Sequence, residues 1–346
     1  MRDIHMRSRK LFKGIILAGI IPLLLACGGE ASKKENLQAD FQVISTTPAA
    51  GSAGVLSPTI TITFNREVNG TTVDGTTLTM DNGLTGTIET TANTVTITTG
   101  GYSAAVVYTI SVGTGITDTG GDPLVSPYSF SFTASSLLAG ILANYHLDGD
   151  TLDSSPNAKH LNNYGLTSST SGHIGGAMAG DGTAAYARTL YDFSAGNTSD
   201  VTVSLWMKRV DDCLCVPLAV GGMDWNLMQL TSWTDGTTSG VQAGFGFIGN
   251  TPFVEMPFGS FHHVVIEYSM SSATTTLWVD NTATPLSYGP GGNARGGLIL
   301  SASLNATSSI HAFFNGDVDE VVVWNRKLDA TERAELYNGG AGVAIP

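Results

Sequence analysis

Residues 313–340 read FFNGDVDEVVVWNRKLDATERAELYNGG, and two kinds of segment meet in them. Asp317 and Asp319, with Glu320 beside them, start a strand that runs through Val321, Val322 and Val323 to Trp324. Asp329-Ala330-Thr331-Glu332 then forms an N-cap with an acid at the third helical position, and Gly339-Gly340 ends the segment. The pattern predicts a short helix packed through Ala330, Ala334 and Tyr337, with Leu336 close beside them. Asp329 and Glu332 suit the positive end of that helix. The carboxylates divide into a strand group and a capping group, and only the strand group is left as a source of chemistry.

Upstream, 42 glycines and only 13% charged residues fit many short strands joined by tight turns. Thr59-Ile60-Thr61-Ile62-Thr63-Phe64, Thr94-Val95-Thr96-Ile97-Thr98, Val107-Tyr108-Thr109-Ile110-Ser111-Val112 and Tyr128-Ser129-Phe130-Ser131-Phe132 each alternate apolar with Thr or Ser. That period of two marks half-buried strands. Asp81-Asn82-Gly83, Gly100-Gly101 and Asp118-Thr119-Gly120-Gly121 supply the turns between them. A small antiparallel sandwich over residues 41–135 follows, and the chain length leaves room for a second domain.

At the N-terminus, five basic residues precede an apolar run of thirteen, Gly14–Ala26. That is short for a membrane span and suits a secretory signal peptide over residues 1–26. The run ends Leu24-Leu25-Ala26-Cys27-Gly28, which resembles the bacterial lipobox. The resemblance implies that Cys27 becomes the diacylated N-terminus, anchored by two or three chains where one would be marginal. No aspartate follows Cys27, so the outer membrane or cell surface is the expected destination. Residues 27–40 are polar and aperiodic, a tether reaching on the order of 20 Å. Cleavage removes five basic residues and one acid, taking the formal charge from −13 to −17. No basic patch remains to neutralise phosphates, so nucleic acid is not an expected partner.

Cys213 and Cys215 are left in an exporting compartment that permits pairing. Extended, their Cα atoms would lie about 6.6 Å apart, near the limit for a disulfide. A turn between Asp211-Asp212 and Pro217 would bring them closer. The spacing leaves a disulfide and two free thiols both open.

Two resemblances cover the folded part. STTPAAGSAGVLSPTITITFNREVN (45–69), YTISVGTGITDTGGDPL (108–124) and YSFSFTA (128–134) resemble bacterial immunoglobulin-like domains, matched at Pro48, Gly51, Phe64, Asn65, Val68, Tyr108, Asp118 and Gly121. Such domains usually act as spacers, and Asp118 reads as a turn residue. ANYHLDGDTLDSSPNAKHLNNYG (143–165), GGAMAGDGTAAYA, DVTVSLWMKR, FGSFHHVVIEY, TTTLWVDN and the stretch from Phe313 resemble, in order, the landmarks of laminin-G-like domains of the concanavalin-type jelly roll. The implied architecture is all-β: an immunoglobulin-like sandwich, then a jelly roll over residues 140–340 with a short terminal helix.

The jelly-roll resemblance also bears on chemistry. Retaining glucanases of this fold place two carboxylates about 5 Å apart on alternate positions of one strand. Asp317-Val318-Asp319-Glu320-Val321-Val322 has valines where the acid would be needed, so no catalytic residue is expected. No Gly-x-Ser-x-Gly elbow or His-Glu-x-x-His helix is present, and adjacent His262 and His263 face opposite sides of a regular strand. The resemblance implies a structural calcium, for which Asp148 and Asp150 near the first strand and Asp317 and Asp319 near the last offer hard oxygen donors. Solvated turn residues are the other reading of the same four. Trp206, Trp278 and Trp324 read as packing residues. Trp233, expected on a loop, forms with Trp225 and Asp235 the candidate surface for a sugar ring and its hydroxyls. The functional expectation is a lipid-anchored, non-catalytic surface protein that recognises carbohydrate or a glycoprotein. An envelope assembly protein without a sugar ligand stands second, and a glycoside hydrolase third.

Overall fold

The computed structural model describes residues 39–191, 193, 200–222, 225–234, 239–245, 248–250, 252–269, 272, 274–286, 297–304 and 309–346. The first part contains β1 (Val43–Thr47), β2 (Thr59–Phe64), β3 (Leu78–Met80), β4 (Gly86–Thr91), β5 (Thr94–Thr99), β6 (Val107–Val112) and β7 (Tyr128–Thr133). They form two antiparallel sheets, ordered β1-β2-β5-β4 and β3-β6-β7. Alternation decides what each strand buries: Ile60, Ile62 and Phe64 of β2 face Val95 and Ile97 of β5 and Ile110 and Phe132 opposite, all essentially inaccessible. Asp118 is a turn residue, as its Gly-Gly context predicts. It accepts from the Asp122 N–H at 2.8 Å and pairs with Arg66 at 2.6 Å.

The second part opens with β8 (Ile141–Tyr145), β9 (Asn162–Tyr164), β10 (Thr167–Ser169), β11 (Ala177–Asp181) and β12 (Tyr186–Arg188). The long strands β13 (Val201–Arg209), β14 (Cys215–Gly222), β15 (Trp225–Thr234) and β16 (Ser239–Phe245) follow, then the short β17 (Ile248–Asn250) and β18 (Val254–Glu255). Next come β19 (Phe261–Ser269), β20 (Thr274–Val279), β21 (Thr282–Leu286), β22 (Leu298–Leu300), β23 (Ser303–Leu304), β24 (Ile310–His311) and β25 (Asn315–Trp324). One sheet runs β10-β11-β25-β13-β19-β20-β21 with β8 on β25, and the other runs β17-β16-β15-β14-β22-β12-β9 with β18 on β16. The core between them includes Tyr145, Val203, Leu205, Leu218, Ile266, Leu300 and Val321.

Cys213 and Cys215 are joined by a disulfide where the chain enters β14, with Cα atoms 5.2 Å apart. Alkylation of the native protein without reductant should leave both cysteines unmodified by mass, with two adducts after reduction; two adducts at the outset would show free thiols.

Helix α1 (Ala330–Tyr337) has the full capping box: the Asp329 side chain accepts from Glu332 N, and Glu332 reaches back to Asp329 N. Its buried face differs from the expected one. Ala330 and Ala334 are exposed, whereas Glu332 and Leu336, one turn apart, are buried. Glu332 turns inward because both its oxygens meet the Arg326 guanidinium, at 2.7 and 2.8 Å, and Leu336 follows it by helical spacing. Leu336 joins Leu137, Val322, Trp324, Leu328 and Ile345, with Leu56 of the first sandwich packed alongside. The short linker is thereby fixed: Trp324 Nε1 donates to Leu137 O at 2.8 Å, Arg326 donates to the carbonyls of Ser136 and Ala139, and Ser135 Oγ donates to Glu335 at 2.7 Å. The tail continues this packing through Ile345, whose carbonyl accepts from Asn144 at 2.7 Å.

Candidate functional site

The strand acids sit where the jelly roll closes. Its first and last strands, β8 and β25, are hydrogen-bonded neighbours through Tyr145 and Val321, which brings the residues after Tyr145 toward those before Val321. Between Ser204 and Trp206 of β13, the partner on β25 moves from Val322 to Asp319, one residue more than a regular ladder needs. This is a bulge, and Glu320 within it has φ 46°. Asp319 is fully buried there, and its Oδ2 accepts from His173 N and Ile174 N at 2.8 and 3.0 Å, while Oδ1 accepts from Glu320 N at 2.9 Å. The turn it holds needs glycine: a Cβ on Gly172 would lie 1.7 Å from Gly176 O and 2.9 Å from Asp319 Oδ2. Asp148 secures the other end of the same turn by accepting from Gly176 N. His146 Nδ1 lies 3.2 Å from both Glu320 oxygens.

Burial dominates the electrostatics of this group. It pushes the Asp319 carboxyl up to about 7 despite three backbone donors, and it raises Glu320 against the opposing effect of His146. The bond to Glu320 raises His146 in turn. Asp317 pairs with Lys208, and Asp150 accepts from Leu152 N at 3.0 Å. Of the four aspartates considered for calcium, Asp148 and Asp319 approach one turn from two sides, and Asp150 and Asp317 serve other partners. Among the described residues no group of three or more His, Cys, Asp or Glu side chains is placed to hold a metal ion.

Beside this turn His173 stacks on Trp206, centroids 3.4 Å apart, and His263 lies behind at 4.9 Å from Trp206. His263 is a buried core histidine bonded to Ser204 Oγ at 2.8 Å, and burial pushes it down to about 4. Ser204, His263 and Asp280 have the composition of a nucleophile triad but not its geometry. Asp280 accepts from the main-chain N–H of His263 at 3.0 Å and its other oxygen meets His262, so it does not orient the His263 ring. The Ser204 hydroxyl is also buried.

Trp225 and Trp233 both lie on β15, where Trp233 pairs with Gly240 of β16 rather than standing on a loop. Their side chains and Asp235 lie outside the described residues. A different aromatic surface is described, at the other end of the same sheet. In the edge pair β9–β12, Tyr164 is opposite Tyr186 and Asn162 opposite Arg188. Side chains at these alternate positions share the face away from the core, because Ala187 between them is buried inward. The tyrosine rings stack with centroids 4.7 Å apart and planes 12° apart. Tyr186 also lies beside Phe313, over the small apolar cluster of Ala219, Ile299 and Ala302. Tyr164, with no further strand beyond it, is 44% exposed. Sequence reading passes over this site because LNNYG and AAYAR are each unremarkable. Only the pairing register joins them, although the alternation of Tyr186 and Arg188 about Ala187 was visible.

Residues 38–134 match the family model of the bacterial Ig-like domain. No curated protein matches the chain. Similar solved structures include domain 4 of AbnA, a GH43 extracellular arabinanase from Geobacillus stearothermophilus, in complex with arabinotriose. It is 15% identical, with 59% of this chain and 98% of that one covered and a TM-score of 0.44. Trypanosoma rangeli sialidase in complex with the inhibitor DANA is 13% identical, with 61% of this chain covered and a TM-score of 0.44, and this chain spans only 35% of it. The SAP-like pentraxin of Limulus polyphemus is 12% identical, with coverages of 46% and 77% and a TM-score of 0.36. No helix among the described residues is long and apolar enough to cross a membrane. The chain is an all-β protein in which a bacterial Ig-like domain precedes a jelly-roll sandwich.

Proposed function

We propose that the chain is a lipid-anchored, non-catalytic binding protein of a bacterial envelope, with the Ig-like domain as spacer and the jelly roll as a carbohydrate-recognising module. The observation that carries this reading is the Tyr164–Tyr186 stack on an outward sheet face, with the Tyr164 ring exposed and Asn162 beside it. Sugar C–H faces rest on aromatic rings, and an amide such as Asn162 supplies a donor and an acceptor to hydroxyls. The buried acids support the non-catalytic half: Asp319 is inaccessible and has its oxygens committed to backbone donors. Residues 1–38, Cys27 among them, lie outside the described residues, and the lipid anchor rests on their sequence.

A glycan array probed with the full mature protein is expected to give a defined set of saccharide signals that falls to background in Tyr164→Ala. Silence across the array, with one envelope protein retained in a pull-down from bacterial envelope extract, would instead support an assembly role.

A further inference from the structure

Five arginines have described surroundings, and four have a carboxylate within 4 Å. Arg66 pairs with Asp118 and Asp122, Arg209 with Asp212, Arg326 with Glu332 and Arg333 with Glu267. Arg188 is the exception. Among the described residues it has no acidic partner, although the whole chain carries a formal charge of −13. Its guanidinium carbon lies 5.7 Å from the centroid of Tyr164. The cross-strand register fixes this placement, with Arg188 opposite Asn162 and one alternate position along from Tyr186.

A guanidinium with no carboxylate beside it among the described residues is, in an acidic protein, an electrostatic complement to an anion from elsewhere. Its planar fork matches a carboxylate with two parallel N–H···O bonds, which a neutral hydroxyl cannot supply. Position then selects the kind of anion. The group beside Arg188 is an exposed aromatic ring, which favours a ligand with a flat C–H face, and the neighbouring Asn162 amide favours hydroxyls. An acidic peptide uses the charge but leaves the ring uncovered, whereas a neutral sugar uses the ring but leaves the charge unmet.

We infer that the Tyr164–Tyr186–Arg188–Asn162 face binds a saccharide that carries a carboxylate, the ring lying on Tyr164 and the carboxylate on Arg188. This rests on the carbohydrate reading above and narrows it to acidic sugars, whether a uronic acid within a polymer or a terminal sugar acid. Both present the same carboxylate beside a ring, so separate probes distinguish them.

The test uses the full mature protein in titration calorimetry with tetragalacturonate against its methyl ester, and 3′-sialyllactose against lactose. A peptide of alternating aspartate and glycine serves as the anionic non-sugar. At least one carboxylated saccharide should bind ten times or more tighter than its neutral counterpart and tighter than the peptide. In Arg188→Gln that preference should disappear, leaving the weaker, neutral level of binding. Tyr164→Ala should lose both levels. Both positions lie on the sheet surface, and an unchanged thermal midpoint shows that each variant folds. Equal binding of acid and ester, tighter binding of the peptide, or a preference that survives in Arg188→Gln overturns this inference; if neutral sugars still bind, the carbohydrate reading stands. No binding of any saccharide overturns both.

Discussion

Trp324→Ala is expected to cost the folded chain about 3–5 kcal/mol, the range for removing a wholly buried large aromatic side chain. Trp324 is inaccessible and central to the cluster of Leu137, Val322, Leu328, Leu336 and Ile345. The cavity would open under α1 and the linker together, so both should loosen. Trp324→Phe separates the two parts of the loss. It keeps most of the ring but leaves the Leu137 carbonyl without its 2.8 Å donor, at a cost of about 1–3 kcal/mol. Urea denaturation followed by circular dichroism measures both, and an alanine variant within about 1 kcal/mol of wild type would show that the indole does not hold this junction.

The second large effect is a dependence on pH at Asp319. Its carboxyl is pushed up to about 7 in the folded chain by burial, against an ordinary value of 3.8. A raised carboxyl favours the folded state while protonated, so its contribution is complete below the ordinary value and is lost as pH rises toward 7. Asp319→Asn removes the titration and keeps one oxygen able to accept from His173 and Ile174, giving up the bond from Glu320 N. Between pH 5 and 8 the stability of the variant relative to wild type should therefore rise by about 3 kcal/mol, from about two pH units at 1.36 kcal/mol each. His263 titrates in both proteins, and Glu320 and His146 interact with the Asp319 charge, so the difference in thermal midpoint between the two proteins reports Asp319 together with its coupling to those two neighbours. A difference that stays flat with pH would mean that the carboxyl ionises in the folded chain as readily as in the unfolded one.

What could be read in the sequence follows the range of the interactions involved. The strands of the first sandwich stand where period-two alternation puts them, because alternation is a local signal of a half-buried face. The capping box at Asp329 was equally local. The helix's buried face was not, since Glu332 is drawn inward by Arg326 on the preceding loop, a pairing that apolar spacing does not encode. Asp319 looked like a strand-end acid, and it is buried because a bulge shifts the register, which only the pairing of β25 with β13 reveals. Trp233 looked like a loop residue because Ser, Thr, Asp and Gly surround it, yet it belongs to a ten-residue strand whose ladder overrides that local composition. Tyr164 and Tyr186 lie in short, separate runs, so no local pattern could announce their stack.

The strand that presents Tyr164 also bears on self-association. β9 is the last strand of its sheet and only three residues long, Asn162–Tyr164. An open edge with an exposed aromatic ring invites another chain to zip onto it and seed aggregation, and a very short edge strand is one way natural sheets blunt that hazard. Three residues offer too few free N–H and C=O groups for a second copy to gain a foothold. Arg188, facing the same side, repels the matching arginine of any copy stacked against it. The edge thus leaves its tyrosine uncovered while remaining a poor template for self-association.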